Sequence, residues 1–182
     1  MASFVIHLAI ANVYLKKHYI ENKDDFIKGV LSVDLAPDKI KSHYTKYTDK
    51  SNLKKFLSGK VSLDNYLQEN SADSDFDKGV LIHLITDYEF YTNFLDKDKI
   101  DLLDYKTFKK YIYHDYESVN DYIKKKYEVV VPKIISKYDL SNGEEKCYLI
   151  DRKKLDEFII NMGLINLDDY INEIINGNNK KR

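Results

Sequence analysis

The stretch "DKGVLIHLITDYEFY", residues 77–91, is central to the fold and carries two polar residues inside an otherwise apolar run. Its length and the spacing of its apolar side chains predict a buried helix. His83 and Asp87 stand four residues apart in that run, where a core helix would ordinarily have Leu or Ala. Side chains at positions i and i+4 share one helix face, with Cβ atoms about 5–6 Å apart. The two residues could therefore reach a single ligand.

Helices are predicted on both sides of this segment, because the 182 residues include only two prolines and six glycines. Polar loops are expected at 33–50 and 69–77. The predicted helices cover 4–20, 24–31, 52–57, 62–70, the segment that begins at Asp77, 105–127, 151–162 and 167–176. Helix caps are predicted at Ser3, at Ser62 or Asp64, and at Asp77. The stretch 128–132 is expected to be a short strand or an extended link, and the Asn-Gly turn in 141–150 predicts a minor hairpin.

These elements predict an all-α fold with one domain over residues 1–176 and a flexible tail at 177–182. Apolar residues make up 43% and charged residues 32%, which is typical of a globular chain. The 29 Lys and Arg residues nearly balance the 30 Asp and Glu residues. This balance gives no support to a nucleic-acid-binding surface, although a local basic patch remains open. The composition does not indicate an oligomeric state.

Cys147 is the only cysteine, which excludes a disulfide within the chain. The N-terminal apolar stretch has no basic residue before it, so it does not resemble a secretion signal. No run reaches the roughly 18 apolar residues that a membrane-spanning helix needs. A cytoplasmic location is the expectation.

Three histidines lie in settings that suggest metal ligands, and two acids accompany them. His7 and His83 have apolar neighbours, His43 follows Asp34 in a polar segment, and Asp87 completes the pair in the quoted helix. Neutral imidazole and carboxylate are the usual ligands of a catalytic zinc ion. Taken singly, each apolar-flanked histidine is more simply a core residue bonded to a nearby acid. Burying several polar groups without a purpose is costly, so the set as a whole favours a metal site.

Three stretches together resemble the zinc-dependent phospholipase C superfamily, which includes the single-strand-specific zinc nucleases. They are "IHLAIAN" (6–12), "KGVLSVDLAPDKIKSHY" (28–44) and "GVLIHLITDYEFYTNF" (79–94), and the chain looks most like the short bacterial members described only as hydrolases. The resemblance implies an α-helical metalloenzyme fold. It covers roughly the first half of the chain, and the order of its motifs is fairly specific.

The resemblance implies a centre of two zinc ions, although other divalent metals are an alternative. Asp34, His43 and His83 would bind the first ion, His7 the second, and Asp87 would bridge the two. In this superfamily the N-terminal amino group is also a ligand. Removal of Met1 would leave the amine of Ala2 five residues before His7. We therefore expect that amine as a further ligand.

The chain departs from the secreted members of the superfamily in its third metal site. Their additional histidine would fall on Asn93, ten residues after His83, and no His-x-x-x-Glu or His-x-x-x-Asp motif follows the helical pair. His114 and Asp115 are adjacent and would diverge by about 100° on a helix. A centre of two ions is therefore expected rather than three.

The function expected from this set is hydrolysis of a phosphoester, in the manner of a phospholipase C acting on a lipid or small-molecule substrate. Asp34, Asp38 and Asp115 are the candidate catalytic carboxylates, although Asp38 follows Pro37 and is also explained as a turn residue. Two alternatives stay open: a hydrolase of nucleotides or small phosphate metabolites, and a non-catalytic metal-binding or interaction protein. Tyrosines such as Tyr44 and Tyr113 could line a substrate pocket or belong to ordinary packing.

Overall fold

The computed structural model describes residues 2–143 and 145–179, with side chains described as far as residue 176. Helices make up 69% of the described residues and none of those residues lies in a β-strand, which confirms the predicted all-α class. The α-helices of the described residues are α1 (Phe4–Lys17), α2 (Lys23–Leu35), α3 (Lys39–Ser42), α4 (Leu53–Ser58), α5 (Leu63–Glu69), α6 (Asp75–Glu89), α7 (Lys97–Asp101), α8 (Tyr105–Lys126), α9 (Arg152–Leu164) and α10 (Leu167–Asn179).

Helix starts follow from side chains that accept the free backbone N–H groups of the first turn. Ser3 accepts from Ile6 at the start of α1, and Ser62 accepts from Asn65 at the start of α5, as predicted. The predicted cap at Asp77 is wrong by three residues. Ser74 is the N-cap of α6, and the Asp77 carboxylate accepts the backbone N–H of Ser74 in return. This reciprocal arrangement is a capping box, in which an acid three residues inside the helix bonds back to the cap.

The predicted hairpin at 141–150 is wrong, because the described residues of that stretch form no strand. Residues 148–150 are held instead by α8, where the Asp115 carboxylate accepts all three of their backbone N–H groups at 2.6–2.8 Å. The stretch 128–132 also forms no strand: Glu128 lies in a turn with a φ of 54°, and the backbone is extended at Pro132. Two short helical segments were not predicted: a π-helical turn at Phe90–Phe94, directly after α6, and a 3₁₀ helix at Lys133–Tyr138, between the two stretches just described.

The C-terminal helix is longer than predicted. Its backbone continues through Asn179, whereas a flexible tail was expected from residue 177. Residues 180–182 of that expected tail lie outside the described residues, as do Met1 and Glu144.

The helices α2 and α6 cross with their backbones in contact, and this crossing forms the centre of the molecule. A Cβ atom added at Gly79 would lie 2.1 Å from the carbonyl oxygen of Phe26, and one added at Gly29 would lie 2.1 Å from that of Phe76. Only glycine leaves room for such an approach from both sides. The helix α1 packs against both members of this pair, and α8 and α9 pack against α1 and complete the core.

Among the described residues, no helix combines the length and apolar character that crossing a bilayer requires.

Candidate metal centre

Five polar side chains from separate parts of the chain meet in the interior beside the α2–α6 crossing. His7 comes from α1, Asp34 from the last turn of α2, His43 from the residue after α3, and His83 and Asp87 from one face of α6. Their side chains are no more than 2% exposed. We call these five residues the His/Asp cluster. The structure thus brings together all five predicted metal ligands.

The Asp87 carboxylate lies between two groups of imidazoles. Its Oδ1 is 3.3 Å from Nε2 of His7, while its Oδ2 is 3.3 Å from Nε2 of His43 and 3.7 Å from Nε2 of His83. The Oδ1 atom of Asp34 is 3.4 Å from Nε2 of His43 and 3.9 Å from Nε2 of His83. One oxygen of Asp87 therefore faces His7 and the other faces the remaining two histidines.

Hydrogen bonds to the backbone orient two of the imidazole rings. Nδ1 of His83 donates to the carbonyl oxygen of Val30 over 2.7 Å, and Nδ1 of His43 donates to that of Lys39 over 3.0 Å. Because a carbonyl can only accept, each Nδ1 carries the proton in the neutral ring. The lone pair on each Nε2 is then directed at the carboxylates of Asp34 and Asp87. Histidines bound to a metal are oriented in the same way, by a hydrogen bond from the ring nitrogen that does not face the ion.

The electrostatics of the cluster hold both acids ionised and keep one histidine neutral. Burial and the neighbouring His7 lower the pKa of His83 to about 3. Burial opposes ionisation of Asp34, yet the imidazoles of His83 and His43 outweigh it and lower its pKa to about 2. Burial likewise opposes ionisation of Asp87, but the positive charge of the N-terminus, followed by contacts with His43 and His7, brings its pKa well below the usual range. Burial lowers the pKa of His43, but contacts with both carboxylates produce a net rise.

The residues present fit a divalent metal ion. The buried atoms Nε2 of His7, His43 and His83, Oδ1 of Asp34 and Oδ2 of Asp87 have no hydrogen-bond partner. Unpartnered buried polar atoms are costly unless a cation or proton satisfies them. Two sets of ligand atoms each lie within 4.8 Å of one another, and both include His83. The sets are His7, His83 and Asp87, and Asp34, His43 and His83.

The backbone of Ala2 also reaches the cluster. Its nitrogen donates to Oδ1 of Asp87 over 2.7 Å, and the residue is 2% exposed. The start of the chain therefore enters the core next to the carboxylate that separates the two groups. The predicted loss of Met1 concerns a residue outside those that the structure describes.

Two of the candidate catalytic acids lie outside the cluster and have structural partners. Asp38 is exposed, and its Oδ1 accepts the backbone N–H of Lys41 as the N-cap of α3, in agreement with the alternative of a turn residue. Asp115 is buried, and its oxygens accept the backbone N–H groups of residues 148–150. Asp34 is the candidate catalytic acid that the structure places in the cluster.

A cavity of about 230 Å³ reaches the His/Asp cluster at Asp34 and is also lined by Ala2. Its aromatic wall consists of Phe4, Tyr113, Tyr116 and Tyr138, of which the sequence analysis named Tyr113 as a pocket candidate. The others were missed because they come from α1, the middle of α8 and a 3₁₀ helix. The carbonyl partners of His43 and His83 were also missed, since a backbone oxygen leaves no signal in the residue types.

No family model matches the chain, and no curated protein or solved structure matches it at a significant level.

Proposed function

We propose that this chain is a metal-dependent hydrolase of phosphoesters, with two zinc-type ions held by the His/Asp cluster. The observation that carries the proposal is the set of buried, unpartnered imidazole nitrogens and carboxylate oxygens converging on both sides of Asp87. The resemblance to the zinc-dependent phospholipase C superfamily supports the same assignment, because all five of its matching positions belong to this cluster.

The resemblance implies the ligand roles, and the two sets of ligand atoms support them. Asp34, His43 and His83 would hold one ion and His7 the other, with Asp87 offering one oxygen to each. After removal of Met1, the nitrogen of Ala2 would be an amine 2.7 Å from Oδ1 of Asp87 and could serve the ion on the His7 side. Mass spectrometry of active protein tests that removal, and a retained or acetylated Met1 contradicts the role of the amine.

Paired divalent ions supply activation of water at neutral pH and charge stabilisation for the oxygens of a phosphoester. The protein residues have the complementary task of fixing the geometry. The carbonyls of Val30 and Lys39 keep Nε2 of His83 and His43 directed inward. Asp34 is the cluster side chain that lines the 230 Å³ cavity, so the reacting phosphate would approach from that side.

The test combines metal analysis with turnover of a generic substrate. Protein purified without added metal is expected to contain about two zinc-type ions per chain and to hydrolyse bis(4-nitrophenyl) phosphate until a chelator is added. Asp87→Asn should bind less metal and lose at least about a hundredfold in activity. Asp101→Asn is a matched control, because Asp101 is exposed and pairs with Lys54 at the surface, outside the cluster and its cavity.

Metal binding without turnover separates this proposal from its non-catalytic rival. If the ions are present and a panel of phosphomonoesters and phosphodiesters shows no chelator-sensitive hydrolysis, the cluster serves structure or binding. If no divalent ion binds, the metal assignment fails as well.

A further inference from the structure

The lining and size of the 230 Å³ cavity beside Asp34 indicate which substrates the proposed metal centre would bind. Its aromatic wall is built from residues that already contact one another: the rings of Phe4 and Tyr138 stack with centroids 5.2 Å apart, and Tyr113 meets Tyr116 edge-on at 6.0 Å. Tyr113 and Tyr138 are about half exposed, while Tyr116 is buried. The cavity is therefore open to solvent at one side and closed by aromatic rings at the other.

We infer that the substrate is a phosphoester bearing one compact planar ring, seated against Phe4, Tyr113 and Tyr138 with its phosphate next to Asp34. The inference rests on the proposed function and names its substrate class. Aromatic faces stack on flat rings and add to the ordinary gain from burial. A cavity lined mainly by aromatic side chains beside a polar centre suits a ligand that has an apolar ring at one end and a charged group at the other.

The size of the cavity argues against a two-chain lipid. An apolar cavity of about 150 Å³ holds one benzene ring, and pockets for drug-sized ligands occupy about 300–1,000 Å³. The 230 Å³ here lies between these sizes and suits a ring with small substituents. The acyl chains of a phospholipid would have to remain outside the cavity, where they would not contact its lining.

The far wall of the cavity is held in place before any ligand arrives. Leu140 lines it, and its carbonyl oxygen accepts from the side chain of Asn120 over 2.7 Å. Next to it, Asp139 accepts from Nζ of Lys124 over 2.8 Å. These bonds tie the segment that carries Tyr138 to α8, so ring binding does not require the segment to be ordered first.

Lys39 and Glu117 are the charged residues of the cavity apart from Asp34. The ammonium group of Lys39 is suited to the negative charge of a phosphoester. Its own backbone carbonyl orients His43, so a change of the Lys39 side chain leaves that hydrogen bond available. Lys41 lies on the same short helix outside the cavity wall and gives a matched control for charge.

The test measures binding of two phosphonates that cannot be hydrolysed, using zinc-loaded full-length protein and calorimetry. Phenylphosphonate is expected to bind at least about tenfold tighter than methylphosphonate, and Tyr138→Ala should remove most of that preference. Tyr148→Ala is the matched control, since Tyr138 and Tyr148 are both 49% exposed and Tyr148 stacks on Tyr111 instead. Lys39→Gln should weaken both ligands equally, and Lys41→Gln neither.

Equal affinity for the two phosphonates overturns the inference, and so does tighter binding of a short-chain diacyl phosphonate. A preference that survives Tyr138→Ala places the ring elsewhere and also overturns it. Adenosine 5′-phosphorothioate carries a nucleobase in place of the phenyl ring. Tighter binding than phenylphosphonate would identify the ring as a nucleobase, and weaker binding would identify it as a simple aryl group. Because these measurements need no turnover, ring selectivity without hydrolysis would reject the proposed function and with it the substrate, while keeping the cavity as a binding site for a planar ring beside a phosphonate group.

Discussion

The surroundings of His7 bear on whether it is a metal ligand or an ordinary core histidine. Both of its ring nitrogens are buried without a hydrogen-bond partner, and its ring stacks on His83 with centroids 3.8 Å apart. A core histidine would stabilise the fold through a bond to Asp87. A histidine kept for a metal ion leaves an unsatisfied polar group in the metal-free protein, at a cost of about 1–3 kcal/mol.

His7→Leu is therefore expected to leave the metal-free protein equally stable or more stable, while it lowers zinc affinity by at least about tenfold. Thermal unfolding with and without chelator gives the first quantity, and competition against a zinc indicator gives the second. His114→Leu is the control, because His114 contacts Glu145 on the surface and should leave zinc affinity unchanged. A lower melting temperature for metal-free His7→Leu would support the core-histidine interpretation instead.

The Asp87 carboxylate lies between the histidines of the His/Asp cluster. Its two oxygens face different histidines, and the Ala2 nitrogen donates to the oxygen on the His7 side. Sequence spacing predicted that His83 and Asp87 share a helix face, which the structure confirms. Spacing could not tell which oxygen faces which partner, because that depends on the positions of α1 and of the residue after α3.

At the scale of elements, the crossing of α2 and α6 positions the centre. The carbonyl of Val30 in α2 is within 2.7 Å of Nδ1 of His83 in α6, and this reach depends on the backbone contact at Gly29 and Gly79. A larger residue at either glycine would separate the helices. The ring of His83 would then lose the acceptor that fixes its orientation.

Gly79→Ala is expected to destabilise the fold by about 3 kcal/mol or more, because its Cβ would overlap the carbonyl oxygen of Phe26 and the nitrogen of Val30. Zinc affinity should fall together with stability. Urea unfolding and zinc titration measure the two effects. Lys28→Ala changes an exposed side chain of α2 and should shift stability by less than about 1 kcal/mol. A Gly79→Ala protein as stable as the parent would show that the crossing is not close-packed in solution.

Side chains that accept backbone N–H groups also explain why two predictions from the sequence were wrong. The stretch 141–150 has an Asn-Gly turn, yet Asp115 accepts the backbone N–H groups at 148–150 that a hairpin would need. The N-cap of α6 is Ser74 rather than Asp77, because a serine with an acid three residues later satisfies two free backbone N–H groups at once. In both cases a side-chain acceptor decided which backbone groups were available.

At the scale of the whole molecule, the His/Asp cluster joins helices that are far apart in the sequence. His7 lies near the start of the chain, Asp34 ends α2, and His83 and Asp87 lie in α6. Ions bound at this point would link α1, α2 and α6 through the core. Because the unfolded chain does not assemble the ligands, metal binding should favour the folded state.

Zinc is therefore expected to raise the melting temperature in a concentration-dependent way, with about 4 kcal/mol of added stability at a thousand times the dissociation constant. Chelation should reverse the effect. Magnesium should have little effect at equal concentration, because imidazole ligands favour zinc over magnesium. Differential scanning calorimetry measures each shift. A melting temperature independent of zinc would contradict a metal site in the core.

The sequence by itself determined the helical class, most helix positions and the short set of polar residues that could serve one site. Periodicity, helix caps and the i, i+4 pair are local properties, so they can be recognised in the order of residues. Only the tertiary structure decided how His7, Asp34 and His43 face that pair, that two carbonyls orient the imidazoles, and that an aromatic cavity opens beside Asp34. These features depend on how helices pack, and packing is set by contacts between residues distant along the chain, such as Gly29 with Phe76.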